Sequence, residues 1–326
     1  MKREIQEVTL EDFAQSFGTT IADIPNDCRE LIAKTDFRYR TLEGEERDKL
    51  LLHVLKKIES DQQIAAALER RATWEKGIAE NFQDFIKSGY DLNKLAPKFI
   101  RPNQVIRLDR NYIMPSNPNF ELDYFSVFRL WLFGKYLKDF ESIYEFGCGT
   151  GFNLAVLAQL YPEKKLHGLD FVPSSVDLVN KLGEVYNWKM TGHLFNMFSP
   201  DENFEIGDNS AVFTIVSIEQ LASNFEAFLQ FLLKCAPELC IHVEPTIELY
   251  DENNLIDYLA LKFHRKRGYT EKYLIRLREL EAQNKIEILK VKRLFFGSLY
   301  HEGYSHIIWR PRKTKTNEDL VLVPGG

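Results

Sequence analysis

The chain has 326 residues, 44% hydrophobic and 28% charged, the composition of a soluble globular protein with room for one large domain or two medium ones. A net charge of −6 excludes a global basic footprint for nucleic acid, and no stretch approaches the ~20 apolar residues that cross a bilayer. The four cysteines (Cys28, Cys148, Cys235, Cys240) have no CxxC spacing, so neither a zinc site nor a disulfide framework is expected. Met1 to Glu7 holds no apolar run, so no signal peptide is read and the cytoplasm is the expected compartment.

Residues 1–90 read mainly as helices. Thr9 is a candidate N-cap, followed by Glu11 and Asp12, acids that favour the start of a helix. Leu50, Leu51, Val54, Leu55 and Ile58 form one apolar stripe. A second runs through Ala65, Leu68, Trp74, Ile78, Phe82 and Phe85. Such stripes are helix-packing faces. From Leu95 to Phe120, Pro97, Pro102, Pro115 and Pro118 predict an irregular connector that cannot run as helix and whose length suits a lid. Residues 1–120 are therefore expected to form a helical N-terminal region and connector, acting as a cap or a docking surface. Asp123 to Leu137 is apolar on most sides and predicts a buried helix.

Strands and helices then alternate. Strands are expected at 142–145, 166–170, 192–196, 211–216 and 239–243, with helices at 152–160, 173–186 and 224–236 between them. That order implies a parallel sheet covered on both faces. Residues 251–284 read as a charged helical insert, and two strand patterns, 286–295 and 305–309, close the domain as an antiparallel pair. The expected fold is α/β and Rossmann-like: a mostly parallel seven-stranded sheet with an antiparallel last strand, spanning 121–311, plus the helical N-terminal region. The polar residues 312–326 are expected to be a disordered tail.

The most informative stretch is Tyr144-Glu-Phe-Gly-Cys-Gly-Thr-Gly151, an apolar strand running into a glycine turn and then a helix. Glycine there permits positive φ and close approach of a ligand to the main chain, and the helix that follows aims free N–H groups at the same place. The dinucleotide fingerprint G-x-G-x-x-G does not fit, because Phe152 occupies its last position and the third glycine falls one residue early. Asp170 ends the second strand, 19 residues past Gly151, placed to accept both hydroxyls of a ribose.

With the glycine turn, Gly168-Leu-Asp170 and the closing strand pair, the chain resembles the class I S-adenosylmethionine-dependent methyltransferases over about residues 140–310. The resemblance implies S-adenosylmethionine as cofactor. Glu145 would orient the glycine loop or the methionine amino group, and Gly147, Gly149 and Gly151 would pass close to methionine and ribose. Asp170 would take the ribose diol and Phe171 would pack on the adenine. Asn196 and Met197 fall in the adenine-contacting segment, with Asn196 where the family often has Asp.

Methyl transfer needs aligned nucleophile and methyl, and a base when the acceptor is a hydroxyl or an ammonium. Open α/β sheets bind substrates beyond their carboxyl strand ends. Glu219, just past the fourth strand, and His242 and Glu244, on one face of the fifth by the two-residue period, are the candidate catalytic groups. Arg265 and Arg267, from the basic group at 262–278, and Tyr300 and His301, from the loop between the last two strands, are candidate substrate contacts. No metal is expected, since His301 and His306 lack ligand spacing. The expected function is methyl transfer to an oxygen or nitrogen of a small molecule. The rivals are methylation of a peptide or protein side chain and a cofactor-binding scaffold without turnover. Neither nucleic acid nor membrane is an expected partner, and a homodimer stays open.

Overall fold

In a computed structural model, which describes residues 4–66 and 68–312, the first third of the chain is more than helices. It runs β1 (Gln6–Glu7), α1 (Leu10–Phe17), α2 (Asn26–Lys34), β2 (Arg38–Thr41), α3 (Gly44–Ser60), α4 (Leu68–Lys87), β3 (Ile106–Leu108) and β4 (Asn111–Pro115). Thr9 caps α1 in a capping box with Asp12, as its spacing predicts. The proline-rich connector departs from expectation. Its middle, bounded rather than crossed by the prolines, folds as the antiparallel hairpin β3–β4.

The core follows as α5 (Phe120–Tyr136), β5 (Ser142–Phe146), α6 (Phe152–Leu160), β6 (Lys165–Asp170), α7 (Pro173–Tyr186), β7 (Met190–Leu194) and β8 (Ser210–Ile215). After these come α8 (Glu226–Cys235), β9 (Leu239–Val243), α9 (Leu255–Arg267), α10 (Tyr273–Ala282), β10 (Ile286–Lys292), β11 (Phe296–Gly297) and β12 (His306–Pro311). The seven-stranded sheet has the order β10-β12-β9-β8-β5-β6-β7. Strand β12 runs antiparallel to both β9 and β10, while β5 pairs in parallel with β6 and β8. Helix α5 is as buried as its apolar composition requires, with Trp131, Leu132 and Phe133 fully enclosed. The polar stretch 313–326 lies outside the described residues.

A second sheet of five strands, β1-β2-β4-β3-β11, joins the two ends of the chain, because Phe296 of β11 pairs with Leu108 of β3. One continuous apolar core links Phe13, Phe17 and Phe37 of the N-terminal region with Phe128 and Trp131 of α5 and Ile143 and Phe213 of the large sheet. A separate cluster packs α3 (Val54, Ile58) on α9 (Ile256, Leu259, Phe263). These two contacts hang the N-terminal region over the carboxyl ends of the large sheet, where α4 forms a roof.

Candidate functional site

The glycine turn leaves β5 with Gly147, Gly149 and Gly151 all in the left-handed region, at φ of 73°, 53° and 70°. At Gly147 the requirement is also steric, since a Cβ would stand 2.5 Å from the Cβ of Ser217 on the neighbouring strand end. Asp170, at the end of β6, ties the turn down: its Oδ2 accepts from the Gly149 N–H at 2.9 Å and its Oδ1 from the Val172 N–H at 3.0 Å. Burial raises its carboxyl to about 6 against those hydrogen bonds.

Glu145 ends β5 and is 1% exposed. Its Oε1 accepts from Asn153 Nδ2 at 2.7 Å, and Asn153 Oδ1 in turn accepts from the buried Arg129 at 3.2 Å. Its Oε2 has no partner. Burial pushes this carboxyl up to about 8.

Around these groups lies a cavity of about 630 Å³. Its floor is Glu145, the glycine turn and Asp170, and Phe171, Asn196 and Met197 form one wall. Trp74 and Ile78 of α4 and the 97–99 segment cover it. The cover is fastened at two points. Thr150 Oγ1 donates to the Leu95 carbonyl at 2.6 Å, and Glu75 of α4 accepts from the Ser174 N–H at 3.3 Å, placing a carboxylate at the N-terminus of α7. Phe171 lies under the Arg71 guanidinium, 5.9 Å from the ring centre. Asn196 spends its Oδ1 on the Phe198 N–H, an internal turn. Every residue expected at the cofactor thus lines one cavity, except Gly151, which caps α6 just behind it.

A second cavity of about 640 Å³ adjoins the first and shares Arg70, Trp74, Phe99, Val216, Gln220 and Tyr304 with it. Glu219, expected as a catalytic group, and Arg267 and His301, expected as substrate contacts, line it. Val216, where β8 turns into this junction, sits at φ 53°, a strained conformation for a β-branched residue of the kind that gathers at functional sites. Glu219 is 5% exposed, its Oε1 accepts from Gln220 Nε2 at 2.7 Å, and its Oε2 is unpartnered. Burial, then the nearby Glu244, raise its carboxyl to about 8.

Two further groups of this chamber escape sequence reasoning. Glu121 of α5 is buried, its carboxyl is raised to about 7 by burial, and it hydrogen-bonds Tyr304. Tyr304 lies within electrostatic reach of both Glu121 and Glu219. The available signal was an acid in the first turn of a helix otherwise apolar on most sides.

Four expected contacts fall elsewhere. His242 and Glu244 do share a face, since both meet Thr214 Oγ1, at 3.0 and 2.9 Å. That face is closed by packing. The His242 ring is fully buried against Tyr273 and Trp309, where burial lowers it to about 3 and keeps it neutral. Glu244 accepts from the backbone N–H groups of Ser217, Ile218 and Glu219, so it holds the turn that carries Glu219 and lines neither cavity. Arg265 is exposed and pairs with Glu252 at 2.9 Å. Tyr300 stacks on Phe263 outside the chamber, 4.9 Å between centroids. Arg267 does reach the chamber, with its charge committed to Asp61 at 2.8 Å and the Tyr269 hydroxyl at 2.9 Å.

A buried ion network fixes the chamber wall. Arg293 binds Asp257 of α9 and Glu302 of the 298–305 loop through both edges of its guanidinium, with contacts of 2.7 Å to each. Arg107 of β3, fully buried, stands 3.6 Å from Asp257 and 3.7 Å from Glu302. The loop bearing His301 and Tyr304 is thereby locked to α9 and to the N-terminal sheet.

Neither a protein-family model nor a curated protein matches the chain. Among solved structures it is similar to geranyl diphosphate C-methyltransferase from Streptomyces coelicolor A3(2), at 12% identity over 76% of this chain and 100% of that one, with a TM-score of 0.46. It is similar also to an rRNA methylase from Escherichia coli, at 10% identity over 93% and 100% of the two chains, TM-score 0.43. A third is an O-methyltransferase from a multienzyme of Brevibacillus brevis, at 11% identity over 56% and 70%, TM-score 0.39. At these identities the likeness is one of fold alone. The strand order, with β12 reversed between β9 and β10 and the glycine turn leaving the central β5, decides the matter. The chain has a Rossmann-like α/β fold, and the glycine turn and the acid at the end of β6 stand side by side at the carboxyl edge of its sheet.

Proposed function

We propose that the protein is an S-adenosylmethionine-dependent methyltransferase that acts on an oxygen or nitrogen of a small molecule, with α4 and the 97–99 segment as its cap. The observation that carries this reading is the buried Oε2 of Glu145 in the floor of the first cavity, without a partner among the described residues. A buried carboxylate oxygen without a donor is costly, and an ammonium group is the partner that relieves it. The methionine end of S-adenosylmethionine supplies one. Asp170, already oriented by two backbone N–H groups, keeps lone pairs for a ribose diol, and Phe171 with Met197 offers an apolar bed for the adenine.

When bound, the cofactor supplies an electrophilic methyl group. The chain's part is to hold that group against the second chamber and keep water out. Arg70, Trp74, Val216, Gln220 and Tyr304 stand at the junction, and Glu219 and Glu121 are the groups available to take a proton there. A chamber of about 640 Å³ fits a small molecule.

The test is incubation with methyl-labelled S-adenosylmethionine and a panel of amines, phenols, carboxylic acids and peptides. Label is expected in at least one small-molecule acceptor. Label confined to peptides, or S-adenosylmethionine bound without transfer to any acceptor, would overturn the reading.

A further inference from the structure

Four buried polar atoms without partners line or border the second chamber: Glu219 Oε2, Gln220 Oε1, His301 Nδ1 and Arg70 Nε. Three are acceptors or can serve as one. Gln220 spends its Nε2 on Glu219 Oε1, and its own carbonyl oxygen and the second carboxyl oxygen of Glu219 are both left without partners among the described residues. Burial keeps His301 neutral, so it adds no positive charge. The carboxyl groups of Glu219 and Glu121 have no salt-bridge partner among the described residues, whereas Arg267 is already neutralised by Asp61. Trp74, Phe99 and Phe263 contribute aromatic walls; Trp74 already lies under Arg70 at 5.3 Å and Phe263 under Arg267 at 4.6 Å, which leaves Phe99 as the ring whose face can attract a ligand cation.

We infer that the acceptor is a small cationic amine, held by Glu219 Oε2 and Gln220 Oε1 through its N–H groups and methylated on that nitrogen. This rests on the methyltransferase reading above and narrows it. A hydroxyl acceptor brings one donor to this pair of acceptors and no charge for the two carboxyls, whereas an ammonium brings three donors and a positive charge. Gln220 lines both cavities, so a nitrogen bound to it lies on the cofactor side of the chamber. In the reaction an N–H proton passes from the ammonium to ionised Glu219, and the freed nitrogen lone pair forms the N–CH₃ bond as the S–CH₃ bond breaks. The electrons of that bond stay on sulfur, which leaves as a neutral thioether, and the positive charge ends on nitrogen. Arg70, whose Nε has no partner among the described residues, matches an acceptor that carries an oxygen function away from its nitrogen.

The experiment titrates matched pairs, primary alkyl- and arylalkylamines against the alcohols of the same skeleton, into the full chain saturated with S-adenosylhomocysteine and again without it. At least one amine should bind tenfold or more tightly than its alcohol at pH 8. Its affinity should rise from pH 6 to pH 8 as the carboxyls ionise, with the ammonium still protonated. Glu219→Gln should abolish most of that preference while leaving S-adenosylhomocysteine affinity unchanged and thermal stability undiminished. If that variant does not fold, Gln220→Met reads the same pair of acceptors and should reduce the preference severalfold. No amine exceeding its alcohol, including the case in which neither binds, overturns the inference, as does an undiminished preference in the folded variant. Failure of S-adenosylhomocysteine to bind at all would instead strike the methyltransferase reading, leaving the cofactor-free titration to judge the amine.

Discussion

At the scale of single residues, Glu145 is the most exacting part of the account. Its carboxyl is raised to about 8 by burial, so without a ligand it is largely protonated at neutral pH. An ammonium partner favours the ionised form, and binding then releases a proton. S-adenosylmethionine affinity should therefore increase between pH 6 and pH 7.5, by up to about tenfold per unit. Calorimetry in buffers of different ionisation enthalpy should show proton release that Glu145→Gln removes. An affinity flat across that range in the native chain would contradict the assignment. Glu145, the glycines and Asp170 were legible because their spacing is local to one strand–turn–helix–strand unit. Glu121 and Tyr304 were not, because α5 and the 298–305 loop meet only through tertiary packing. His242 shows the converse error: the two-residue period gives the face of a strand correctly, but not whether α10 closes over it.

Among elements, the mostly parallel seven-stranded sheet was readable from alternating strands and helices, and the insert from its charge. The small sheet was not. Its strand β3 pairs with β11, which lies far along the chain and is only two residues long, so no local pattern announces either partner. The ion network of Arg293, Arg107, Asp257 and Glu302 holds this sheet, α9 and the chamber loop together. Arg293→Met leaves two buried carboxylates with the more distant Arg107 and, for Asp257, Arg110 at 3.6 Å. It should cost about 3–5 kcal/mol in urea unfolding, the range for breaking a buried pair on one side. A loss below about 1 kcal/mol would show that the network does not lock the loop.

For the whole molecule, the buried titratable groups set a pH profile. Glu145 and Glu219 at about 8, and Glu121 and Glu244 at about 7, all lie above the ordinary 4.5. Between 4.5 and those values the folded chain binds more protons than the unfolded one, so these groups lower stability as pH rises through that window. His242 and His306 at about 3, and His167 and His264 at about 4, lie below the ordinary 6.5, so they lower stability as pH falls from 6.5. The two sets oppose each other from 4.5 to 6.5, and only the carboxyls act above it. The ligand-free chain should therefore lose roughly 2–4 kcal/mol from pH 6.5 to pH 8. Denaturant unfolding at the two pH values checks this, and a more stable protein at pH 8 would refute the buried-carboxyl arrangement.

The cofactor cavity joins these scales, since its floor is a residue motif, its walls are strand ends and its roof is the N-terminal third of the chain. The most direct measurement is the calorimetric affinity of S-adenosylmethionine for the native chain and for Asp170→Ala. One site per chain is expected, weakened in the variant by about 1–3 kcal/mol, or about fivefold to more than a hundredfold, through loss of the ribose acceptor. An unchanged affinity in Asp170→Ala, or no binding by the native chain, would contradict the account.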